Sequence, residues 1–290
     1  MGRMILATFD HGAGELAENI AVLADGTICV TLLLAGTVWS SGWEPERVVP
    51  HAADALVVGL AADAEDRLYA AVRGTTEDVA GIWRREAPGR WVRFAAARTS
   101  AGLNGITFAA DGTLFAADSV NGEILCCAPG DDTLRLWLGG ERLLEPLAPD
   151  DPVLSTGVNG LKVWDGALWA TNTAQGSVLR IALDDGRPGE VKQVHTGIPA
   201  DDLAFDAAGT LYLAVHPRDT VVRITPDGAT TVLATEADGL DGPTAIAVVA
   251  GGLLVTSLGM LGSRHRPSLV RLDLEVADPA LPRPRVPGRA

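Results

Sequence analysis

The chain has 290 residues, with 37 acidic against 23 basic side chains, a formal net charge of −14 and an apolar content of 47%. The acidic balance argues against a nucleic-acid partner, because binding to phosphate backbones depends on clustered Lys and Arg. No apolar run approaches the ~20 residues of a membrane helix, so we expect no membrane partner either.

The first residues and the cysteines indicate a protein of the cell interior. The first apolar stretch, Met4–Phe9, is shorter than the core of a signal peptide. The three cysteines, Cys29, Cys126 and Cys127, are odd in number and lack the spacing of a zinc site. The sequence therefore predicts a reduced, soluble, cytoplasmic protein.

One phrase recurs six times: an apolar run, a turn that contains Asp or Gly, and a second apolar run. The six copies are ENIAVLADGTICVT from Glu18, VGLAADAEDRLYAAV from Val58, NGITFAADGTLFAADS from Asn104, NGLKVWDGALWATNT from Asn159, DDLAFDAAGTLYLAV from Asp201 and PTAIAVVAGGLLVTS from Pro243. The second apolar runs begin 40 to 54 residues apart. A repeat of this length built from short strands is typical of the blades of a β-propeller.

The predicted fold class is therefore all-β, a six-bladed β-propeller. Met4–Phe9 is a spare strand-like segment, and we expect it to complete the last blade, because this would remove an exposed sheet edge. Residues 1–276 then form a single domain, and the segment 277–290, rich in Pro and Arg, is predicted to be disordered. A β-sandwich or two small β domains are the alternative interpretation.

Polar residues occupy one repeated position in a phrase that is otherwise apolar. Nine or ten residues before the second apolar run lie Glu18, Asn104, Asn159 and Asp201. Equivalent positions of different blades meet around the propeller axis, so these oxygen donors should converge. Such donors suit Ca²⁺, or Mg²⁺ less well, and Cys and His ligands for zinc are missing from the set. Turn capping by Asn and Asp is the structural alternative.

A second tier of candidates lies about five residues after the start of the second apolar run. There Arg73 and His216 are candidates for substrate binding or acid–base chemistry, while a solvated loop position is the alternative for each. Asp202, directly after Asp201, is also a candidate substrate-binding residue.

These phrases resemble the family of senescence marker protein, gluconolactonase and luciferin-regenerating enzyme. The resemblance runs from Glu18 to about Leu258 and is strongest in LNGITFAADG, VNGLKVWDGALWATNT and PADDLAFDAAGTLYLA. It implies a six-bladed calcium-dependent propeller in which Glu18, Asn159 and Asp201 bind the metal and Asn104 faces the substrate. It also implies that Asp201 is the catalytic base. The chain departs from the gluconolactonase pattern at Gly102, where those proteins have Arg, and at Gly105, where they often have Asp.

The leading hypothesis is a calcium-dependent hydrolase of a lactone or similar small ester, with Asp201 as general base. A cyclase, isomerase or lyase that uses the same pocket in secondary metabolism is the second hypothesis. A propeller that only binds a partner is the third.

Overall fold

The repeated phrases form β-hairpins in the computed structural model of the chain, and the turn of the fifth copy shows why. The carboxylate of Asp206 accepts hydrogen bonds from the backbone N–H groups of Ala208 and Thr210, at 3.0 and 2.9 Å. Between them Gly209 lies at φ +81°, a left-handed conformation that glycine adopts at little cost. The Asp and Gly of the phrase therefore build the turn between the first two strands of a blade. The structure describes residues 2–148, 150–151, 154–260, 264–277 and 283–286.

The described residues contain 24 strands. In the N-terminal half these are β1 Gly2–Thr8, β2 Ala17–Val22, β3 Ile28–Leu32, β4 Thr37–Ser40, β5 Glu46–Arg47, β6 Leu56–Ala62, β7 Leu68–Arg73, β8 Gly81–Ala87, β9 Arg90–Ala96, β10 Leu103–Phe108, β11 Leu114–Asp118, β12 Glu123–Cys127 and β13 Arg135–Leu138. In the C-terminal half they are β14 Val158–Trp164, β15 Ala167–Asn172, β16 Ser177–Asp184, β17 Arg187–Thr196, β18 Asp202–Phe205, β19 Leu211–Val215, β20 Thr220–Ile224, β21 Thr230–Ala234, β22 Pro243–Val249, β23 Gly252–Ser257 and β24 Ser268–Asp273.

The strands form six four-stranded antiparallel sheets within the described part of the chain, as the repeats predicted. The first strand of every repeat is the innermost of its blade, and the innermost strands of neighbouring blades contact one another in a closed ring. Apolar clusters fill the spaces between adjacent blades. One of them packs Tyr69 and Ile82 of the second blade against Leu103 and Leu114 of the third. The hydrophobic core therefore lies in the interfaces between adjacent blades, and other residues line the propeller axis.

The ring closes with the N-terminal strand, as expected. β1 pairs antiparallel with β24, with Gly2 opposite Asp273 and Thr8 opposite Ser268. The last sheet thus has the order β1-β24-β23-β22 and joins the two ends of the propeller. This confirms the prediction for Met4–Phe9, with the strand placed over Gly2–Thr8.

Part of the C-terminal segment contacts the propeller. Arg283 forms an ion pair with Asp66 at 3.0 Å, and the backbone N–H of Ala64 donates to Pro284 O at 3.0 Å. Val286 is buried in the apolar cluster between the second and third blades. Composition alone does not show where a Pro-rich segment finds an apolar partner, and the disorder of the segment 277–290 as a whole stays a prediction. The neighbouring residues 278–282 and 287–290 lie outside the described part.

No helix in the described ranges is long and apolar enough to span a membrane.

Candidate functional site

The innermost strands lose their regular pairing where they carry the predicted ligands. The register between the first and second strands of a blade shifts between Ala17 and Ile20, between Leu103 and Ile106, and between Val158 and Leu161. These irregularities bracket Glu18, Asn104 and Asn159. Asp201 lies directly before β18, where its N–H donates to Ala214 O at 2.7 Å. Bulges re-aim side chains, so the local break in the ladder turns these polar groups toward the axis.

A glycine follows the ligand position in three successive blades and allows the inner strands to approach closely. A Cβ on Gly105 would lie 2.6 Å from Asn159 O, and one on Gly160 would lie 2.8 Å from Asp201 O. In the second blade, a Cβ on Gly59 would lie 2.2 Å from Asn104 O. Any larger residue would push the next blade's ligand away from the axis. The Gly at position 105, a departure from the resembled family, is therefore a packing requirement here.

Hydroxyl groups on the second strands tie the same positions to the neighbouring blade. The Thr171 hydroxyl donates to Asp201 O at 2.7 Å, and the Ser119 hydroxyl donates to Val158 O at 2.7 Å. Across the closing seam, the Thr256 hydroxyl donates to Glu18 O at 3.3 Å. These side chains satisfy backbone carbonyls that a regular ladder would otherwise pair. These hydrogen bonds thus fix the backbone of the site to the neighbouring blades.

The predicted residues converge on one cavity of about 190 Å³ at the axis. All four predicted metal ligands line it, together with both second-tier candidates, Arg73 and His216. The remaining lining residues are Leu33, Val58, Thr156, Thr173, Pro217, Leu258 and Met260. Sequence reasoning did not single out the apolar members of this wall, because apolar residues at strand ends are common in every blade.

The two carboxylates of the cavity carry raised pKa values. Burial raises the pKa of Glu18 to about 7, where the Arg73 guanidinium lowers it and Asp202 raises it further. Burial, followed by the charges of Glu18 and Asp202, also raises the pKa of Asp201 well above its usual range. The hydrogen bond from Asn159 and the charge of Arg73 act in the opposite direction on Asp201. A cation bound between these two buried carboxyl groups would lower both pKa values, because its positive charge stabilises the ionised forms.

The amide of Asn159 is oriented so that its oxygen can bind a cation in the cavity. Its Nδ2 donates both to the Thr173 hydroxyl at 3.0 Å and to Asp201 Oδ1 at 2.9 Å. With both donors used, its Oδ1 is left for the cavity, which Asn159 lines. The donor set of carboxylate and amide oxygens therefore fits a hard cation such as Ca²⁺ or Mg²⁺. Among the described residues no group of three or more His, Cys, Asp or Glu side chains has metal-binding geometry, so a cation here would need the amides.

His216 lies beside Asp201 with an unused ring nitrogen. Its Nδ1 is 3.9 Å from Asp201 Oδ2, is buried, and has no hydrogen-bond partner among the described residues. Burial lowers the pKa of His216, which disfavours the protonated imidazole. A buried polar atom without a partner is unusual, and one that faces a cavity is suited to a ligand or to water.

Asp202 takes a different position from Asp201. Along a strand successive side chains point to opposite faces, and Asp202 does not line the cavity with Asp201. Its carboxylate is buried and paired with Lys162 Nζ at 2.9 and 3.1 Å. Lys162 in turn lines a separate, mostly aliphatic cavity of about 640 Å³ between the opposite ends of the inner strands. Asp202 is therefore not among the residues that line the axial cavity, and its part in substrate binding stays a prediction.

Comparison with known proteins places the chain among solved propellers. No protein-family model and no curated protein sequence matches it. Regucalcin, a calcium-binding protein from Agrobacterium tumefaciens, superposes with a TM-score of 0.72 at 19% identity, over 98% of this chain and 97% of that one.

Two further structures are similar. A gluconolactonase from Xanthomonas campestris has a TM-score of 0.66 at 18% identity, over 90% of this chain and 87% of that one. Virginiamycin B lyase from Staphylococcus aureus has a TM-score of 0.62 at 15% identity, over 94% and 89%. At these identities the similarity establishes the fold: the chain is a six-bladed β-propeller whose structural neighbours include hydrolases and a lyase.

Proposed function

We propose that the chain is a metal-dependent hydrolase that opens a lactone or a similar small ester in the axial cavity. The observation that carries the proposal is the convergence of Glu18, Asn104, Asn159 and Asp201 on one cavity. A calcium-binding protein and a gluconolactonase among the structural neighbours support it.

Glu18, Asn159 and Asp201 would hold a divalent cation, Ca²⁺ or Mg²⁺, and Asn104 would contact either the cation or the substrate. When bound, the cation would supply Lewis-acid stabilisation of the charge that develops on the substrate carbonyl oxygen. The Asp201 carboxylate takes a proton from water while the water oxygen bonds to the carbonyl carbon. The ring C–O bond then breaks, and the proton returns to the departing alkoxide.

His216 and Arg73 complete the wall on the substrate side. The imidazole of His216 offers its unpaired Nδ1 to a substrate hydroxyl or to the attacking water. The cavity is small beside the ~300–1,000 Å³ of typical ligand pockets, so a compact ring is the expected substrate.

A non-hydrolytic reaction, cyclisation, isomerisation or elimination, is the second candidate. The similarity to a lyase favours it, because a lyase breaks a bond without adding water and its fold is similar to that of this chain. A non-enzymatic binding propeller is the third, although a passive scaffold would not need two buried carboxylates with raised pKa values.

One experiment separates the three. The purified protein is assayed with a panel of five- and six-membered lactones in ¹⁸O-water, with Ca²⁺ or with chelator, and its bound metal is measured. Hydrolysis predicts one ¹⁸O atom in the product carboxylate and activity that chelation abolishes. A product of unchanged mass would favour the non-hydrolytic reaction, and absence of turnover with every lactone would contradict the proposal.

We also propose a cytoplasmic location. All three cysteines are free, as expected for a reducing compartment.

A further inference from the structure

Arg73 carries a guanidinium whose binding capacity is mostly unused. It ends β7, and its Nε donates to Leu103 O of the next blade at 2.6 Å, the one hydrogen bond that it makes with the described residues. This bond fixes the plane of the guanidinium. Arg73 lines the axial cavity, and its two terminal nitrogens carry four N–H groups that make no hydrogen bond with the described residues.

Two other basic residues of the blades that form the cavity are already paired. Lys162 is bound to the buried carboxylate of Asp202, and Arg98 donates to Asp118 at 2.7 Å. Arg73 is the single Lys or Arg among the residues that line the axial cavity, all of which belong to the described part. An anion that enters the cavity therefore meets one guanidinium with a free face.

The charges of the site leave this guanidinium without a partner once a cation is present. Glu18 and Asp201 together carry two negative charges, which a divalent cation would cancel. The Lys162–Asp202 pair is neutral by itself. Among the residues that line the cavity, one positive charge, on Arg73, then remains. The further carboxylate that acts on Arg73, Asp118, is already paired with Arg98. An uncompensated charge in the cavity is costly, so the ligand that completes the site should be an anion.

We propose that Arg73 binds an anionic group of the substrate, so that the site takes lactones or esters that bear a carboxylate in preference to neutral ones. A planar fork of N–H donors matches a carboxylate in two parallel hydrogen bonds, which a hydroxyl cannot reproduce. The anchor at Leu103 O sets the direction of the fork, and its neighbour Asn104 lies at the predicted ligand position. The proposal rests on the proposed function for the reaction but not for the binding of the anion.

The first test compares two lactones that differ in charge alone: 5-oxotetrahydrofuran-2-carboxylate and its carboxamide. With calcium-loaded wild-type protein, we expect kcat/KM to be about 10- to 100-fold higher for the carboxylate, chiefly through KM, as a charged hydrogen-bonded pair predicts. Arg73→Gln should remove this preference, and Arg73→Lys should keep part of it. Arg135→Gln, at an exposed arginine, is the matched control and should keep it entirely.

The second test measures binding without turnover. Glutarate and glutaramide are titrated calorimetrically into the calcium-loaded protein, and only glutarate should bind, with the affinity lost in Arg73→Gln. If wild-type protein opens no lactone yet binds glutarate through Arg73, the hydrolase proposal fails and the anion site stands. If wild-type protein treats the charged and neutral lactones alike, or binds neither diacid nor diamide, the anion site is overturned. Equal losses on both lactones in Arg73→Gln would also overturn it, because they would indicate a structural role.

Discussion

The pKa of Glu18 makes a quantitative prediction for the protein without metal. Burial holds this pKa at about 7 in the folded chain, against 4.5 for a free glutamic acid. Between these two pH values the folded chain keeps a proton that the unfolded chain has released, so raising the pH favours unfolding. At ~1.4 kcal/mol per pKa unit, the shift corresponds to about 3 kcal/mol of stability, present below pH 4.5 and lost as the pH rises through 7. Asp201, whose pKa is also raised, acts in the same direction.

Differential scanning calorimetry in chelator between pH 4.5 and 8 measures this effect. A Tm decrease of about 5 °C is expected from the Glu18 contribution over that range, because ~2.1 cal/mol/K per residue gives the chain an unfolding entropy of about 0.6 kcal/mol/K. Glu18→Gln removes the titrating group, so the variant should lose less and should exceed the wild type in Tm at pH 8. Glu190→Gln, at an exposed carboxylate, is the control and should follow the wild type. Added Ca²⁺ should raise the wild-type Tm most at high pH. A Glu18→Gln profile as steep as that of the wild type would refute the reasoning.

Three further predictions concern the site. Asp201→Asn should lower turnover at least 100-fold, as removal of a general base does, whereas Asp202→Asn should mainly lower stability by unpairing its buried lysine partner; a reversed pattern in kinetic assays would place the wrong aspartate in the cavity. In crystals soaked with Ca²⁺, the four predicted oxygen ligands should lie about 2.3–2.6 Å from the ion, and side chains that stay apart would contradict the metal site. Gly105→Ala should cost about 1–3 kcal/mol in chemical denaturation because its Cβ would collide with the Asn159 carbonyl, while the control Gly42→Ala, whose Cβ would meet only the side chains of Thr27 and Ser40, should cost much less.

The architecture was predictable because the information is repeated. Six copies of one phrase predict the number of blades, and a shared offset within the phrase predicts that Glu18, Asn104, Asn159 and Asp201 lie together at the axis. When a motif recurs, an ambiguous residue in one copy is outweighed by the other copies, whereas a single motif offers no such comparison.

The remaining features depend on contacts between blades, which no single repeat contains. The anchor of Arg73 is a carbonyl of the next blade, and the partner of Asp202 is a lysine of the preceding one. Gly160 lies against Asp201 O for the same reason. The sequence alone does not show which of the adjacent residues Asp201 and Asp202 faces the cavity. Sequence periodicity therefore predicted positions well and partners poorly.

The pairing of β1 with β24 has a consequence for synthesis on the ribosome. The first strand leaves the ribosome about 260 residues before its partner, a delay on the order of 10 to 50 s at ~5–20 residues per second. Throughout this interval the nascent chain carries an unpaired strand at one end and an open sheet edge at the other, both able to pair with foreign strands. Ring closure therefore has to wait for synthesis of the last blade, and a chain that is cut off within that blade would be left as an open propeller.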